Sequence, residues 1–259
     1  MLTGTHVVDV ATRNSRRRRS DSGKAKKSNG SVRYVRYASY IITLLIVFLI
    51  FYSQYHYAQM GCLSYSVLST ASMPLDCRLS VANGTIYLSL LFPSAVFSYM
   101  LFRRRSMHEI IGELGLSRSK LTLKSIGIGI ILFLSILLLS IILSIFTTVT
   151  GIQLPTNVQQ LLSGMPLYLL VFSFIVAPID EEILFRGFFV PRIGIIGSAI
   201  LFALLHSSYA SISEFIAALI FGLLAGYVFK KTRSLYASIT GHILVNMLTV
   251  LSILAIQGI

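Results

Sequence analysis

The amino-acid sequence predicts an all-α protein, a polytopic transmembrane bundle of about seven helices. Of its 259 residues, 55% are hydrophobic and only 12% are charged, and the mean hydropathy is +0.79. These values are typical of a multi-pass membrane protein and leave no room for a separate soluble domain beyond short loops and the polar start of the chain. Seven apolar segments follow, at approximately 37–55, 85–102, 123–149, 165–191, 193–206, 212–229 and 235–256. Most approach the roughly 20 residues that a bilayer crossing requires, and the fifth is short.

The positive charge of the chain is distributed as a topology signal. The formal net charge is +13, and the basic residues stand in short clusters beside apolar segments, at 1–36, 103–105, Arg192 and 230–233. If all seven segments cross the bilayer, these clusters fall on one side, which predicts a cytoplasmic N-terminus and an external C-terminus. We therefore expect a multi-pass protein of the cell membrane. The same clustering disfavours nucleic-acid binding.

The chain divides into three regions. Residues 1–36 are polar and basic, which predicts a disordered cytoplasmic tail that lies on anionic lipid. Residues 37–109 are predicted to form two transmembrane helices joined by an external loop at about 56–84. This loop holds the two cysteines of the chain, Cys62 and Cys77, which either form one disulfide or remain two free thiols. Residues 110–259 form the membrane domain that carries the candidate site.

A cluster of ionisable residues interrupts the fourth apolar segment. Asp180, Glu181, Glu182 and Arg186 stand within it, although the whole chain has only nine acidic residues. Because a charge at the bilayer centre costs at least about 2.5–3.5 kcal/mol, acids at this depth indicate function. On a helix, Glu182 and Arg186 are spaced i,i+4 and can pair, whereas Glu181 points about 100° away. The alternative is a buried structural ion pair, but one arginine cannot neutralise three adjacent carboxylates.

Three later polar residues are predicted to lie at the same depth as Glu181. If Ile193 is the tip of the hairpin between the fourth and fifth segments, Glu181 lies 12 residues before the tip and His206 lies 13 after it. Both are then roughly 18–20 Å from that end of the bundle. His242 lies 9 residues beyond Arg233, or about 14 Å along its helix. Asn246 lies one turn beyond His242 on the same helical face.

A carboxylate and histidines at one depth favour hydrolysis. The carboxylate can take a proton from water that a histidine orients, and a His or Asn donor can stabilise the oxyanion of an attacked carbonyl. Alternatively, Glu181, His206 and His242 could hold zinc, since two histidines and one glutamate are a known catalytic zinc set. We favour no metal, because a zinc-bound histidine needs a further acceptor for its other N–H. The sequence offers only Asp180, backbone carbonyls and Glu182, and we expect Glu182 to be engaged by Arg186.

These motifs resemble those of a known family, the CPBP intramembrane proteases, which include the type II CAAX prenyl endopeptidases and the bacterial abortive-infection proteins. The three motifs occur in order as Glu181-Glu182-x-x-x-Arg186, Phe202-x-x-x-His206 and His242-x-x-x-Asn246. The resemblance covers roughly residues 110–256, so residues 110–259 would be a CPBP-type catalytic domain.

The resemblance also implies roles for the motif residues. Glu181 would activate water together with His206, and His242 and Asn246 would form the oxyanion pocket. Glu182 and Arg186 would support the site. The resemblance to the prenyl endopeptidases further favours a glutamate-dependent enzyme without metal, with a membrane-embedded or lipid-anchored peptide or protein as its substrate.

Three alternatives to that enzyme stay open. The first is a zinc-dependent version of the same protease. The second is a non-catalytic membrane scaffold or immunity factor that has kept the motifs for stability. The third is a proton-coupled transporter, which the sequence disfavours because it shows neither repeated halves nor paired broken helices.

Overall fold

The computed structural model describes residues 34–35, 37–53, 55–56, 74–103, 105–152, 165–206 and 211–257. Over these residues the chain forms helices and no strand, so the predicted all-α class is confirmed. The predicted basic tail, residues 1–36, and its contact with anionic lipid lie outside the described residues, except that Tyr34 and Val35 are helical.

Seven helices, α1 to α7, make up the described fold together with a short 3₁₀ turn, Arg118–Lys120. They are α1 Tyr37–Ser53, α2 Leu75–Phe102, α3 Met107–Glu113, α4 Leu123–Thr150, α5 Leu167–His206, α6 Ile212–Thr232 and α7 Leu235–Gln257. Five of them, α2, α4, α5, α6 and α7, are long and apolar enough to cross a membrane, and α1 is a shorter apolar helix. The protein is therefore a multi-pass membrane protein.

Helix α5 folds back on itself at Gly194. This glycine has φ 79° and ψ 176°, a conformation in which a helix cannot continue. The Ser198 hydroxyl donates to the Phe185 carbonyl at 2.7 Å, although 13 residues of straight helix would separate the two by about 20 Å. The two limbs of α5, residues 167–193 and 195–206, thus form the hairpin predicted near Ile193, and the seven predicted apolar segments correspond to α1, α2, α4, the two limbs, α6 and α7.

Helix α2 begins ten residues before its predicted start at 85. It follows Pro74 directly, and its first two turns include the charged residues Asp76 and Arg78, which mark a helix that extends beyond the apolar core of the bilayer. Cys77 therefore lies in this helix, buried and disulfide-bonded, so its predicted place in a loop is wrong. Its location on the external side stays a prediction. The other cysteine of the chain, Cys62, lies outside the described residues.

A patch of hydroxyl groups joins the peripheral helix α1 to α2. The Thr43 hydroxyl lies 2.6 Å from that of Ser94 and 2.8 Å from that of Ser98, and Ser39 lies 2.6 Å from Ser98. In lipid, where apolar surface gains little by contact with other apolar surface, such interhelical hydrogen bonds hold helices together.

Glycines bring the backbones of α4 and α7 close together. A Cβ on Gly129 would lie 2.6 Å from the Ala237 carbonyl oxygen, and one on Gly241 would lie 2.8 Å from the Leu132 side chain. The contact is therefore backbone against backbone, as is common where helices cross within membranes. Because His242 follows Gly241 directly, this contact sets the position of the third motif.

The basic residues that the structure describes at the ends of α2 and α6 and at the α5 turn lie at one end of the bundle. The α6–α7 turn docks on the segment after α3, where Leu235 N–H donates to the Gly115 carbonyl at 3.1 Å and the Tyr236 hydroxyl donates to the Leu116 carbonyl at 2.9 Å. The α5 turn joins the same end, because Arg192 Nη2 lies 3.1 Å from Glu113 Oε1. A shared end is what the predicted topology requires. Its assignment to the cytoplasm stays a prediction.

Gly194→Ala should destabilise the protein by about 1–3 kcal/mol, because residues with a Cβ avoid this φ/ψ region. The matched control is Gly127→Ala in α4, since a Cβ at either glycine meets open space and only Gly194 has a positive φ. Thermal unfolding of the purified variants in detergent measures the difference. Equal stability of the two variants would contradict the sharp turn at Gly194.

Candidate active site

The first limb of α5 departs from regular α-helix on both sides of the acid cluster. The five residues Phe172–Val176 and the seven residues Ile183–Phe189 adopt wider π-helical turns, and the α-helical residues Ala177–Glu182 lie between them. Such turns are uncommon and occur frequently at functional sites, where they change the direction in which side chains point. The acid cluster thus lies on the one regular turn between two widened ones.

The three consecutive acids point to three different partners. Asp180 accepts a hydrogen bond from the Ser89 hydroxyl of α2 at 3.0 Å. Glu182 pairs with Arg186 at 2.9 Å, and Glu181 faces His242. This divergence follows from the 100° rotation per residue of a helix, and it explains how three carboxylates occupy one turn without facing one another. The predicted pairing of Glu182 with Arg186 is present.

Arg186 forms the positive centre of the site. It is 1% exposed and Glu182 is 0% exposed, so both charges are removed from lipid and water. The guanidinium carbon lies 4.3 Å from the ring centroid of Phe202 and 5.1 Å from that of Phe221. Among the described residues, its Nε and Nη2 atoms have no hydrogen-bond partner. Stacking on two aromatic faces is a contact that suits arginine, whose planar cation is weakly hydrated.

His242 lies between the two glutamates. Its Nδ1 atom is 3.0 Å from Glu182 Oε1, and its Nε2 atom is 3.8 Å from Glu181 Oε2. Because a carboxylate only accepts hydrogen bonds, we assign a proton to Nδ1. The distance from Nε2 to Glu181 Oε2 is too long for a direct hydrogen bond. It fits an arrangement in which one further polar group lies between the two atoms and contacts both. The ring packs edge-on against Phe202, with centroids 5.7 Å apart.

His206 lies at the edge of the same cluster. Its Nδ1 atom is 2.9 Å from the Phe202 carbonyl oxygen, and its ring centroid is 4.4 Å from that of Phe202. The carbonyl accepts, so Nδ1 carries the proton in this tautomer and Nε2 is the atom suited to act as a base. The Phe202 ring therefore contacts His206 as well as Arg186 and His242.

Asn246 is tied to the opposite wall of the site. Its Nδ2 atom donates to the Ser173 carbonyl at 3.0 Å, within the first π-helical turn of α5. The second hydrogen on that amide nitrogen remains available to a further acceptor. The contact joins α7 to the start of α5, one helical turn from His242.

Sequence reasoning identified the charged residues of this cluster and missed the groups that surround them. The sequence shows Phe202 only as part of a motif, although its position four residues before His206 places both on one helical face. Phe221, Ser89 and Ser173 were not predicted. Phe221 is one of 16 phenylalanines, and the bond to Ser173 uses a backbone carbonyl, so composition and spacing carry no signal for either.

The zinc alternative requires Glu181, His206 and His242 to lie together among the described residues. Among them, no group of three His, Cys, Asp or Glu side chains is arranged to hold an ion. We expected Arg186 to leave Glu182 unavailable to a zinc-bound histidine, and this expectation is wrong. Glu182 contacts His242 Nδ1 and Arg186 at the same time. An acceptor for the second histidine nitrogen therefore exists. Metal dependence stays a prediction.

The fold and the site together define a membrane-embedded helical protein with a buried cluster of acidic and histidine side chains. In the comparison with known families, residues 163–248 match the family described as type II CAAX prenyl endopeptidase Rce1-like. Residues 163–248 are therefore similar to this family, and the resemblance predicted from the motifs is confirmed over this segment. The match spans all three motifs and begins after α4. The curated proteins and the solved structures yielded no match.

Glu182→Gln should lower the free energy of unfolding by about 3–5 kcal/mol, because Arg186 is left as a buried cation without its partner. Glu113→Gln is the matched control, since Glu113 also pairs with arginines but is 30% exposed, and exposed pairs contribute only about 0–1 kcal/mol. Thermal or denaturant unfolding of the purified variants measures both. Equal losses in the two variants would mean that burial of the Glu182–Arg186 pair is not what stabilises the site.

Proposed function

We propose that the protein is an intramembrane endopeptidase that hydrolyses a peptide bond at the depth of Glu181, near the predicted cytoplasmic side of the membrane. The observation that carries this proposal is the 3.8 Å separation between Glu181 Oε2 and His242 Nε2 in a site closed by α5, α6 and α7. In this arrangement Glu181 can act as a base on one side of a reacting group, and His242 can act as a hydrogen-bond donor on the other side. The Rce1-like domain supports the same reaction class.

Glu181 is proposed to activate the attacking water. Its side chain is 16% exposed, whereas that of Glu182 is fully buried, so Glu181 is the acid of the pair that substrate and water can reach. A carboxylate in this position takes one proton from water as the oxygen attacks the carbonyl carbon. His206 orients the water by accepting its other hydrogen at Nε2, since Nδ1 is bonded to the Phe202 carbonyl.

His242 and Asn246 are proposed to stabilise the oxyanion. Because His242 Nδ1–H is committed to Glu182, the ring can donate from Nε2 only when it carries both protons. The two glutamates beside it supply the negative charge that such an imidazolium requires. Asn246 supplies the second donor from the amide hydrogen that Ser173 does not use. Donors held in place before the reaction are the most effective form of oxyanion stabilisation.

The proton balance closes without a further group. Water adds to the carbonyl carbon, and its proton passes to the Glu181 carboxylate. When the tetrahedral intermediate collapses, the bond between carbon and nitrogen breaks, and Glu181 returns that proton to the leaving nitrogen. The first products are a carboxylic acid and an amine, which exchange a proton to give a carboxylate and an ammonium ion, and Glu181 is left ionised for the next cycle. No serine or cysteine nucleophile takes part.

The depth of the site indicates the class of substrate. Glu181 lies 11 residues before Arg192, which is at the basic end of the bundle, so the site lies roughly 16 Å into the bundle. A peptide bond reaches that depth when the peptide is held by a lipid anchor or by its own apolar segment. A prenylated CAAX tail, another lipid-anchored peptide and a small membrane protein all meet this requirement. We propose the cell membrane as the location.

Glu181→Gln should reduce proteolysis by about 10²–10⁴-fold while the protein accumulates normally, because glutamine keeps the shape of the side chain but cannot act as a base. Asp180→Asn is the matched control: it changes the neighbouring carboxyl to an amide, and an amide oxygen can still accept from Ser89. Comparative proteomics of membranes from cells with each variant measures the cleavage products. A phenotype unchanged in Glu181→Gln would indicate the non-catalytic scaffold instead.

Exhaustive chelation should leave the activity intact and the purified protein without stoichiometric metal, because the proposed steps use only side chains of this chain. Elemental analysis of the wild type and of His206→Ala provides the measurement. About one zinc per chain, lost together with activity in His206→Ala and restored by readdition to chelated wild type, would establish the zinc enzyme.

A further inference from the structure

A cavity of about 220 Å³ lies at the basic end of the bundle, away from the acid–histidine cluster. We call it the arginine cavity. It lies between the end of α2, the end of α3 and the α5 turn. Its lining residues are Tyr99, Met100, Arg103, Arg105, Glu113 and Arg192.

The lining carries more positive charge than its own acid can balance. Arg103, Arg105 and Arg192 contribute three positive charges, and Glu113 is the one acid among the six lining residues. Glu113 lies 3.8 Å from Arg105 and 3.1 Å from Arg192, so it pairs with two arginines while neutralising the charge of one. Arg103 and Arg192 are 89 residues apart in the chain, so the fold gathers these charges from separate segments. The arrangement attracts an anion with more than one contact.

Arg192 is held in place before any ligand binds. Its Nη1 atom donates to the Phe188 carbonyl at 2.8 Å, and its guanidinium carbon lies 3.8 Å from the centroid of the Phe188 ring. Tyr99 packs edge-on against that same ring at 5.5 Å. A side chain fixed in this way loses little conformational entropy on binding, which favours affinity. The cavity is therefore a formed site, in contrast to a scatter of mobile surface charges.

From these contacts we infer that the arginine cavity binds the phosphate group of an anionic phospholipid. Basic pockets between transmembrane helices at the membrane surface are suited to such headgroups. The outer surface beside the cavity is suited to the acyl chains, because Tyr99 is 46% exposed and Phe102 is 69% exposed at the end of α2. A lipid satisfies both the charge and the adjoining apolar surface, whereas a soluble anion satisfies only the charge.

The test measures equilibrium binding of fluorescent phosphatidylglycerol to the full-length protein in a neutral detergent. The test variant is Arg103→Gln with Arg105→Gln, two exposed side chains of the cavity. The control variant is Arg118→Gln with Lys230→Gln, two exposed cations at the same end that do not line the cavity. Both variants lose two positive charges. We expect affinity to fall about tenfold or more in the test variant and less than about twofold in the control.

A third variant should change the affinity for phosphatidylglycerol in the opposite direction. Glu113→Gln removes the acid from the cavity, so binding of phosphatidylglycerol should tighten by about twofold to fivefold. Loss of the cavity through a damaged fold would change the affinity in the opposite direction. If binding weakens instead, charge attraction is not what holds the ligand, and the inference is wrong.

Competition identifies the source of the anion. Unlabelled phosphatidylglycerol should displace the probe, whereas equal concentrations of inorganic phosphate and of a short peptide with a free C-terminal carboxylate should not. Displacement by inorganic phosphate would make this a site for a soluble anion, and displacement by the peptide would make it a peptide site. Equal losses in the test and control variants would show only diffuse attraction. Each of these three results overturns the inference.

Discussion

The candidate site depends on one buried ion pair. Glu182 Oε1 contacts both Arg186 and His242, so a single oxygen neutralises a cation in α5 and orients a ring in α7. Removal of two charges from water is expensive, and the cost is offset only when geometry and further contacts are favourable. Here the further contacts are the two aromatic rings on the guanidinium. The pair therefore connects the stability of the bundle to the positions of the groups proposed to react.

The surrounding fold makes this pair possible by bringing backbones close together. Gly222 of α6 packs on Ala199 in the second limb of α5, where an added Cβ would lie 3.0 Å from the Ala199 Cα. Together with the α4–α7 contact at Gly129 and Gly241, this packing surrounds the charges with helices. In lipid, such close packing replaces the hydrophobic force that stabilises soluble cores. The small residues thus bring the helices close together around the ion pair, and the aromatic rings contact its cation.

Much of this arrangement could be predicted from the sequence because lipid restricts the choices. Apolar run length predicts helices, and an ionisable residue within a run predicts a partner, so the fold class, the hairpin near Ile193 and the Glu182–Arg186 pair were all accessible. The start of α2 could not be predicted, because its first turns are polar and hydropathy does not indicate helices that extend beyond the bilayer core. Nor could the contact between Glu182 and His242, since a spacing argument assigns each carboxylate one partner and cannot show that one oxygen serves two. The two rings over Arg186, Phe202 and Phe221, could not be predicted either, because phenylalanines are common throughout the chain.

The turn at Gly194 also bears on how the protein enters the membrane during synthesis. The second limb of α5, residues 195–206, has 12 residues and is only about 18 Å long, too short to be recognised alone as a spanning segment. Its insertion therefore depends on the first limb, with which it forms a single hairpin. Glu182 and Arg186 then cross as a neutral pair within one helix, which lowers the barrier that two separate charges would face. The hairpin thus enters the membrane with Arg186 already paired, and His206 is carried to its depth by the neighbouring limb.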